Sequence, residues 1–423
     1  NGYKVYWEDG AQFTPPHDKG VTEEVMAITD LSTVKTMGAQ EAKAKGLYEI
    51  IGAAIDDKYI AQVKAQVVNQ GAIDRMQDQI TIVYTPLHGT GNIPARRVMK
   101  ELGFTHVYVV PQQELPDGDF PTVKNPNPEY KEGFYLAIDL AKKNDVDLII
   151  GTDPDADRTG IVLKDKSGEY VTLSGNQVGV LLTDYIITAK KLTNTMPTHP
   201  AVLKSIVTTE MARAAAEKNG VECFETFTGF KFLAEKIKQF EKDGSHEYIF
   251  AFEESYGYLC GDYARDKDAV TASMLIAEMA AYYRTQGKTL YDAMEEMYEK
   301  YGYYCEQTIS ITMPGVSGLQ RMKELMQELR DKPLTVVGPD KVLYTRDYMP
   351  GTRTCMADGK AEEIELKGQN VMYYELEGGT TFIIRPSGTE PKVKVYIMAK
   401  GENKAEAAEK VEALTAAAKE IVK

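Results

Sequence analysis

Three aspartates stand at alternate positions of one short segment, where they could bind a metal ion together. Asp153, Asp155 and Asp157 follow directly after the apolar run 148–150, which predicts a buried strand. Carboxylates this close repel one another unless a cation or the neighbouring Arg158 compensates them. Because Mg²⁺ prefers oxygen ligands and leaves positions open for phosphate, the spacing predicts a magnesium site at the end of a strand.

Two other interpretations compete with a magnesium site. A solvated acidic turn is one, but a buried strand leads straight into the segment, which favours a site. An EF-hand loop is the other, because it also opens with acidic residues at alternate positions. That loop needs glycine where Arg158 stands and glutamate where Lys164 stands, so the sequence excludes it.

A second polar segment, 252–257, begins at the end of the predicted strand 248–252. Its Glu253 and Ser255 offer a carboxylate and a hydroxyl, which can hydrogen-bond neighbouring hydroxyls of a sugar. A polar strand end without a function would look the same. The segment therefore indicates a sugar site only in combination with other motifs.

The segment 385–392 concentrates groups that bind phosphate. Arg385 supplies a guanidinium fork, Ser387 and Thr389 supply hydroxyls, and Gly388 permits a close approach of the backbone. A tight turn between two strands is the alternative. The clustering of donors in an acidic chain favours a phosphate cradle.

Four further residues are weaker candidates. Thr228 and Gly229 open a predicted helix after a strand, a position that suits anions. Lys267 lies in a charged run, where a lysine is by default a surface salt-bridge residue. His88 lies in a glycine-bearing loop after a strand, and a lone histidine is more often structural than catalytic.

Composition limits the classes of function. The chain has 423 residues, 43% of them hydrophobic, which is enough for several hydrophobic cores. Its formal net charge is −14. An acidic chain repels nucleic-acid backbones and anionic lipid heads, so we expect no nucleic-acid and no membrane partner. An anionic substrate therefore needs basic groups gathered locally in a cleft.

The cysteines and the start of the chain carry further expectations. None of the four cysteines forms a C-x-x-C pair or has zinc-like spacing to a histidine, which indicates reduced thiols in a cytoplasmic protein. No apolar run reaches the roughly 20 residues that span a bilayer. The opening Asn1-Gly2-Tyr3 resembles a turn leading into a strand that contains Trp7, so we expect a segment to be missing upstream.

Strand and helix patterns alternate through the middle of the chain. Predicted strands cover 79–84, 105–110, 147–151, 201–207, 222–226 and 248–252. Predicted helices cover 93–102, 130–143, 175–190, 210–218 and 271–285, after an earlier helical stretch over 41–70 with a break at Gly46. Ser174 and Gln177 form a capping-box signature, and Gly220 stands at a helix C-cap. The alternation implies parallel sheets with right-handed crossovers.

The pattern changes after residue 301. A strand over 307–313, a helix over 316–329, strands paired around 378–379 and a last helix over 404–422 follow. This order predicts a smaller α+β domain. The three motifs all follow predicted strands, and loops after strands are where ligands bind in α/β folds.

Taken together, these segments resemble the α-D-phosphohexomutases, and specifically their phosphoglucomutase branch. The resemblance covers nearly the whole chain in the right order. The residues that carry it are Asp153, Asp155, Asp157 and Arg158 for the family's metal-binding loop, Glu253 and Ser255 for its sugar-binding loop, Arg385, Ser387, Gly388 and Thr389 for its phosphate-binding loop, Thr228 and Gly229 for a substrate-facing turn, and Lys267 for a lysine that contacts substrate. Phe252 and Tyr256 replace the commonest glycines of the sugar-binding loop.

The resemblance implies an α/β multi-domain architecture, with mixed or parallel sheets and helices and a smaller C-terminal α+β domain. The expected domains are a remainder of the first domain at 1–78, a metal-binding domain at 79–192, a sugar-binding domain at 193–302 and a phosphate-binding domain at 303–423. The first four residues resemble the segment that follows the family's phosphoserine loop, which makes Lys4 the candidate general acid/base. The loop with its serine is absent from this sequence.

The implied activity is that of an isomerase. A phosphoserine would exchange its phosphoryl group with a hexose 1-phosphate or 6-phosphate, with Mg²⁺ as cofactor and glucose 1,6-bisphosphate as intermediate and activator. Arg158 and Lys267 would neutralise the transferred group. Lys4 could exchange the hydroxyl proton only if its pKa is depressed. Without the serine, we expect this chain not to turn over.

Two other functions stay open at this point. One is a haloacid-dehalogenase-like phosphatase, with Asp153 as nucleophile and Asp155 as acid/base. The other is a serine-less relative that binds sugar phosphate or a partner chain without catalysis. Proteolysis or the design of the expressed chain would also account for the missing serine, and we prefer this account. Glucose, mannose and pentose phosphates all fit the motifs, and the sequence predicts no oligomeric state.

Overall fold

The computed structural model describes residues 4–146, 148–313, 315–387 and 391–422. The chain folds into two compact units. Unit 1 comprises Asn1–Val202 and Gly229–Tyr291, and unit 2 comprises Leu203–Thr228 and Asp292–Lys423. The finer division into four domains stays a prediction.

Unit 1 begins with short helices that bury few side chains. They are α1 (His17–Met26), α2 (Ala39–Ala44), α3 (Gly52–Lys64) and α4 (Gln70–Met76). No residue of α1 or α2 is buried. The predicted break at Gly46 in the helical stretch over 41–70 is confirmed, because the backbone is left-handed there. The rest of the stretch is shorter than predicted, since α3 begins only at Gly52, which is also left-handed, and ends at Lys64. From Lys4 onward, where the description of the chain begins, the predicted opening strand is also wrong, since an isolated antiparallel bridge between Tyr6 and Gln12 stands in its place.

A five-stranded sheet follows in unit 1. Its elements are β1 (Thr81–Thr85), α5 (Asn92–Glu101), β2 (His106–Val109), α6 (Tyr135–Asn144), β3 (Leu148–Thr152), β4 (Thr159–Lys164), β5 (Tyr170–Thr172) and α7 (Gly175–Leu192). The strand order is β2-β1-β3-β4-β5. β1 pairs in parallel with β2 and β3, whereas β4 pairs antiparallel with β3 and β5. The sheet is therefore mixed, with the predicted parallel pairing confined to its first three strands.

The next elements continue the alternation. They are β6 (Pro200–Ser205), α8 (Glu210–Lys218), β7 (Glu222–Thr226), α9 (Phe230–Asp243), β8 (Glu247–Glu253), β9 (Gly257–Leu259), α10 (Ala269–Arg284) and α11 (Leu290–Tyr301). α8 and β7 have the predicted bounds, and Gly220 between them has the expected left-handed φ of 77°. The predicted capping box is confirmed, because Ser174 Oγ accepts from the Gln177 backbone N–H and the Gln177 side chain accepts from the Ser174 N–H.

The remainder of unit 2 is an antiparallel sheet packed against two helices. Its elements are β10 (Tyr303–Thr312), α12 (Gly315–Asp331), β11 (Val336–Val337), β12 (Asp340–Asp347), β13 (Thr352–Cys355), β14 (Ala361–Glu363), β15 (Met372–Leu376), β16 (Thr381–Pro386), β17 (Lys392–Gly401) and α13 (Lys404–Ile421). The order is β10-β17-β16-β15-β12-β13-β14, with β11 paired to β12. Apolar side chains of α12, α13 and the sheet form one core. The predicted C-terminal α+β domain is thus present.

Among the helices of the described residues, none has the length and apolar character required to cross a membrane.

Candidate functional site

The metal loop, residues 153–158, brings three aspartates together at the end of a buried strand. All five residues of β3 are buried, and the loop follows them directly. One carboxylate oxygen of each of Asp153, Asp155 and Asp157 lies within 4.8 Å of the others. Asp153 is buried, whereas the Asp155 side chain is 65% exposed. The cluster is therefore anchored at one end and open to solvent at the other.

Backbone hydrogen bonds to Asp153 set the shape of the loop. Asp153 Oδ1 accepts from the N–H of Asp157 at 3.0 Å and from the N–H of Arg158 at 2.9 Å. Ala156 has a φ of 56° in the left-handed region, which turns the chain back so that the N–H groups of Asp157 and Arg158 reach Asp153. Both backbone donors are on Oδ1. A metal ion bound by Asp153 would therefore contact its Oδ2.

The glycine-bearing loop after β1 packs directly on the metal loop. The Thr90 N–H and hydroxyl both donate to the Pro154 carbonyl, at 2.8 and 3.0 Å. A Cβ added at Gly89 would lie 2.3 Å from the α-carbon of Pro154, so only glycine permits this approach. His88 is buried and lies 2.8 Å from the Thr122 hydroxyl and 3.3 Å from the Leu115 carbonyl. These contacts agree with a structural histidine.

The pKa values of the aspartates diverge because their surroundings differ. Burial and the neighbouring Asp157 carboxylate raise the pKa of Asp153 to about 8. Burial also acts to raise the pKa of Asp157, but the ammonium groups of Lys267 and Lys4 outweigh it and hold this pKa below its ordinary value. The cluster therefore disfavours ionisation of Asp153, and a bound cation would restore it. Its oxygen ligands, charge and open end fit a hard divalent cation such as Mg²⁺.

Two lysines converge on Asp157. Lys4 Nζ lies 2.9 Å and Lys267 Nζ 3.0 Å from Asp157 Oδ2. Lys267 Nζ is also 2.9 Å from Asp266 Oδ1, and Lys4 Nζ is 4.0 Å from Asp266 Oδ2. Burial acts to lower the pKa of Lys4, but the carboxylates around it, above all Asp157, raise it. The depressed pKa that a general base requires is therefore not found at Lys4, whose ammonium stays protonated.

Asp266 is a residue that the sequence reasoning missed. Besides the two lysines, it accepts a hydrogen bond from the Tyr6 hydroxyl at 2.9 Å. Burial and the Asp266 carboxylate raise the pKa of Tyr6 to about 12. The only signal in the sequence was the position of Asp266 next to Lys267. Tyr6 had no signal, because 260 positions separate it from its partner.

Arg158 connects the metal loop to the predicted sugar-binding segment. Its backbone forms an antiparallel bridge with Gly257, and the N–H of the next residue, Thr159, donates to the Tyr256 carbonyl at 3.0 Å. The Arg158 Nε lies 3.7 Å from Asp157 Oδ1 and 3.9 Å from Asp153 Oδ2, and it has no hydrogen-bond partner among the described residues. The guanidinium is therefore placed to bind a further anion.

Glu253 and Ser255 lie at and after the end of β8. Glu253 is buried, and its Oε1 accepts from the Gly229 N–H at 2.6 Å. Burial and the adjacent Glu254 raise the pKa of Glu253 to about 7. Gly229, with a φ of 110°, is the N-cap of α9. Thr228 precedes it as the last residue of the first segment of unit 2, and Ser255 is half-buried in the turn between β8 and β9.

Lys267 packs against the first residue of α9, Phe230, and the first residue of β9, Gly257. Its side chain is 12% exposed, and its Nζ lies 5.4 Å from the centre of the Phe230 ring. A Cβ added at Gly257 would lie 2.2 Å from Lys267 Cδ. The absence of a side chain at Gly257 thus gives this lysine its route to Asp157. Lys267 is therefore not the surface salt-bridge residue that its charged run suggested, because its side chain is largely buried and pairs with Asp157 and Asp266.

A cavity of about 630 Å³ lies beside the metal loop within unit 1. Asp155, Ala156, Asp266 and Lys267 line one part of it, and Tyr6, Tyr59 and Arg97 are among its other lining residues. Its volume is in the range of small-molecule sites.

The predicted phosphate cradle is described in part, within unit 2. Arg385 lies near the end of β16, and Ser387 follows the strand. The Ser387 N–H donates to the Lys392 carbonyl at 2.8 Å, and Arg385 stands opposite Lys394 in the strand register. Gly388 and Thr389 lie outside the described residues. Arg385 and Ser387 are half-buried.

Three family models match the chain. Their descriptions are phosphoglucomutase/phosphomannomutase alpha/beta/alpha domain II, at residues 57–168, alpha/beta/alpha domain III, at 174–301, and C-terminal domain, at 355–417. Together these ranges span more than half of the chain and include the metal loop, the Glu253 segment and Arg385.

Curated relatives are similar over most of the chain. The phosphoglucomutase of Staphylococcus haemolyticus is 36% identical over 404 residues, which are 95% of this chain and 71% of the relative. That of Staphylococcus aureus is 33% identical over 415 residues, 98% of this chain and 72% of the relative.

Two solved structures share the fold. A putative phosphomannomutase from Thermus thermophilus superposes with a TM-score of 0.60 at 18% identity, covering 87% of this chain and 66% of its own. Parafusin, a phosphoglucomutase from Paramecium, also superposes with a TM-score of 0.60, at 16% identity, covering 86% of this chain and 62% of its own.

Proposed function

Because the chain belongs to the α-D-phosphohexomutase family, we propose that it supplies the metal-binding and substrate-binding parts of a phosphoglucomutase. The proposed reaction interconverts hexose 1-phosphate and hexose 6-phosphate through a phosphoserine and a bisphosphate, glucose 1,6-bisphosphate for a glucose substrate. The observation that carries this proposal is the convergence of Asp153, Asp155 and Asp157 after a buried strand, with Lys4, Lys267 and Arg158 around them. The haloacid-dehalogenase alternative has no support in the family matches.

Mg²⁺ is the cofactor that this set of residues fits. Asp153, Asp155 and Asp157 would hold it, and its charge would stabilise the phosphoryl group during transfer. The raised pKa of Asp153 supports this assignment, because a nearby cation would favour the ionised carboxylate.

The charged residues around the metal loop would neutralise the transferred group, and Lys4 is the candidate for exchanging the proton. Arg158, whose Nε makes no hydrogen bond within the described part of the chain, and Lys267 would neutralise the transferred phosphoryl group. Lys4, which its raised pKa keeps protonated, would place a positive charge beside the transferred group. Proton exchange by Lys4 would require its pKa to fall once metal and substrate change the charges around it.

The sugar phosphate would be held by groups from both predicted binding segments. Glu253 and Ser255 would hydrogen-bond sugar hydroxyls, and Thr228 and Gly229 would form the turn that faces them. Arg385, Ser387, Gly388 and Thr389 would bind the phosphate that is not transferred.

The metal assignment is tested by replacing Asp155 with asparagine. The exposed carboxylate contributes a ligand charge, so we expect Mg²⁺ affinity to fall at least about tenfold, because carboxylate oxygens are the preferred ligands. Titration calorimetry with MgCl₂ measures this. Asp139→Asn removes a charge from an exposed position of α6 and is the matched control. Equal Mg²⁺ affinity of the two variants would remove the metal site from the proposal.

The phosphate cradle is tested with Arg385→Ala. We expect glucose 1-phosphate to bind about 1.5–3 kcal/mol more weakly, the usual contribution of a hydrogen bond to a charged group. Arg321→Ala, which removes a half-buried guanidinium of α12 in the same unit, is the control. Calorimetry with glucose 1-phosphate and mannose 1-phosphate measures both variants and the choice of sugar. An unchanged affinity in Arg385→Ala would exclude the cradle.

A further inference from the structure

Unit 2 contains an ionic network that the proposed function does not use. At its centre Lys204, a residue of β6 that is 0% exposed, places its Nζ 2.8 Å from Glu210 Oε1 and 3.0 Å from Glu225 Oε1. The Lys204 ammonium also donates to the Thr208 carbonyl at 3.0 Å. Arg213 adds a second cation, with Nη2 2.8 Å from Glu225 Oε1. Charge and hydrogen bonding are thus satisfied inside the protein.

Arg346 of β12 extends this network into the antiparallel sheet. Its Nη1 lies 3.2 Å from Glu225 Oε2, and its Nε lies 2.7 Å from Glu375 Oε1. The guanidinium stacks over the Tyr373 ring at 4.5 Å. Arg353 of β13 binds the same Glu375 carboxylate with two hydrogen bonds of 2.8 Å. Among the described residues, Arg346 is the arginine that contacts both Glu225 and Glu375.

The two carboxylates that Arg346 joins lie on strands next to the two substrate-binding segments proposed for unit 2. Glu225 lies in β7, three residues before Thr228. Glu375 lies in β15, directly opposite Thr381 of β16, the strand that leads to Arg385. A second contact runs alongside, because the Phe227 and Tyr348 rings meet edge to face at 5.5 Å.

The energetics of such a network favour a positional role over a stabilising one. Burial opposes the ionisation of Glu225, and the positive charges of Lys204, Arg213 and Arg346 reverse that effect. A buried ion pair gains little over a well-packed apolar pair, because removing both ions from water cancels most of their attraction. A guanidinium fork nevertheless fixes distance and direction between its two acceptors.

We propose that Arg346, by joining Glu225 to Glu375, is a positioning residue that fixes the Thr228 turn relative to the strand that leads to Arg385. Both segments would then be set before a sugar phosphate binds. The effect on binding rests on the proposed function, whereas the effect on the position of β7 does not.

The test compares Arg346→Met with Arg353→Met. Both variants remove an arginine from Glu375, but only Arg346→Met removes the connection between Glu375 and Glu225. Hydrogen exchange measured by mass spectrometry follows the backbone amides of 222–228. We expect exchange there to accelerate about tenfold or more in Arg346→Met and less than about threefold in Arg353→Met. Calorimetry with glucose 1-phosphate is expected to show about a tenfold loss of affinity in the first variant only.

The outcomes separate the positioning role from general destabilisation. Equal acceleration in the two variants, or none in Arg346→Met, would overturn the proposal. If Arg346→Met does not fold, Arg346→Lys replaces it, because lysine keeps the charge but cannot fork between two carboxylates. A selective acceleration over 222–228 in Arg346→Lys supports the proposal, and wild-type exchange there overturns it.

The binding measurement distinguishes this inference from the proposed function. If the wild-type chain does not bind glucose 1-phosphate but exchange over 222–228 accelerates selectively, the positioning role stands and the proposed function fails. If glucose 1-phosphate binds equally to wild type and Arg346→Met while exchange accelerates, the turn does not contribute to sugar-phosphate affinity, and the proposal fails in that part.

Discussion

The metal loop of unit 1 and the ionic network of unit 2 are built from the same kinds of side chain but differ in how their charges are paired. In the metal loop, both Lys4 and Lys267 lie against one carboxylate, that of Asp157. Asp153 receives backbone hydrogen bonds but no ammonium among the described residues, and its one cationic neighbour there is the Arg158 guanidinium, whose Nε lies 3.9 Å from Asp153 Oδ2. Its pKa rises to about 8. In the network, cations surround Glu225, and its pKa falls well below the ordinary range.

This difference teaches how a structural charge cluster is told from a binding one. A network that carries its own counterions is complete, and a further ion would disturb it. A cluster whose cations are unevenly distributed keeps a carboxylate that a cation from solution can ionise. Burial alone does not separate the two, since Asp153 and Lys204 are both buried.

The largest effect is expected when a cation is removed from the complete network. Lys204→Met would leave Glu210 and Glu225 without the ammonium between them, so we expect the free energy of unfolding to fall by about 3–5 kcal/mol. Urea denaturation followed by circular dichroism measures the loss. In Lys360→Met, which removes an 85% exposed lysine of the same unit, we expect no measurable shift of the midpoint. A small loss in Lys204→Met would mean that the network is not complete.

In the metal loop, with no metal present, removing an ionisable group is expected to raise the free energy of unfolding and not to lower it. Asp153→Asn keeps an oxygen for both backbone N–H groups but cannot ionise, so we expect the free energy of unfolding to rise by about 2–3 kcal/mol near pH 6. The folded wild type keeps the Asp153 proton up to about pH 8, whereas the unfolded chain loses it near pH 4. Wild-type stability from this group therefore falls as the pH rises between these values, and the advantage of Asp153→Asn grows.

Trp7 makes this measurement specific to unit 1, because it is the only tryptophan of the chain. Its fluorescence during urea unfolding with a chelator present, at about pH 5, 7 and 9, reports the two variants. Asp155→Asn is the control, since its side chain is exposed and its substitution should change stability less. Parallel stability curves of wild type and Asp153→Asn over this range would show that Asp153 is not strained by its neighbours.

Local sequence patterns predicted most elements but not the N-terminal segment. The bounds of α8 and β7 followed from apolar periodicity and Gly220, and the start of α7 followed from Ser174 and Gln177. Over 41–70 the break at Gly46 was predicted correctly, but the left-handed backbone at Gly52 was not, because a helical pattern does not reveal the φ of a glycine.

The chemistry of the two clusters was predictable to different degrees for the same reason. The three aspartates of the metal loop are neighbours in sequence, so their spacing alone indicated a cation site. Lys204, Glu225, Arg346 and Glu375 are spread over more than a hundred residues, and each looks like an ordinary surface charge. Tertiary pairing of this kind leaves no local pattern in a sequence.

The smallest effects distinguish the two lysines of the metal loop. Both contact Asp157 Oδ2, but the Lys267 side chain is 12% exposed and that of Lys4 is 40% exposed. Solvent screens an exposed pair, so we expect Lys4→Met to change the free energy of unfolding by less than about 1 kcal/mol. Lys267→Met also removes the ammonium that contacts the largely buried Asp266 carboxylate, so we expect the free energy of unfolding to fall by about 1–2 kcal/mol.

Urea unfolding followed through Trp7 measures both lysine variants with a chelator present. The ranking carries the argument, because both substitutions remove one positive charge from Asp157 Oδ2, and they differ in how much water reaches the pair and in the closer contact of Lys267 with Asp266. Equal losses would mean that water screens both pairs alike, and the metal loop would then be a surface feature. A larger loss in Lys267→Met would show that its cations are anchored on the buried side, which leaves the exposed side, with Asp155, to a metal ion.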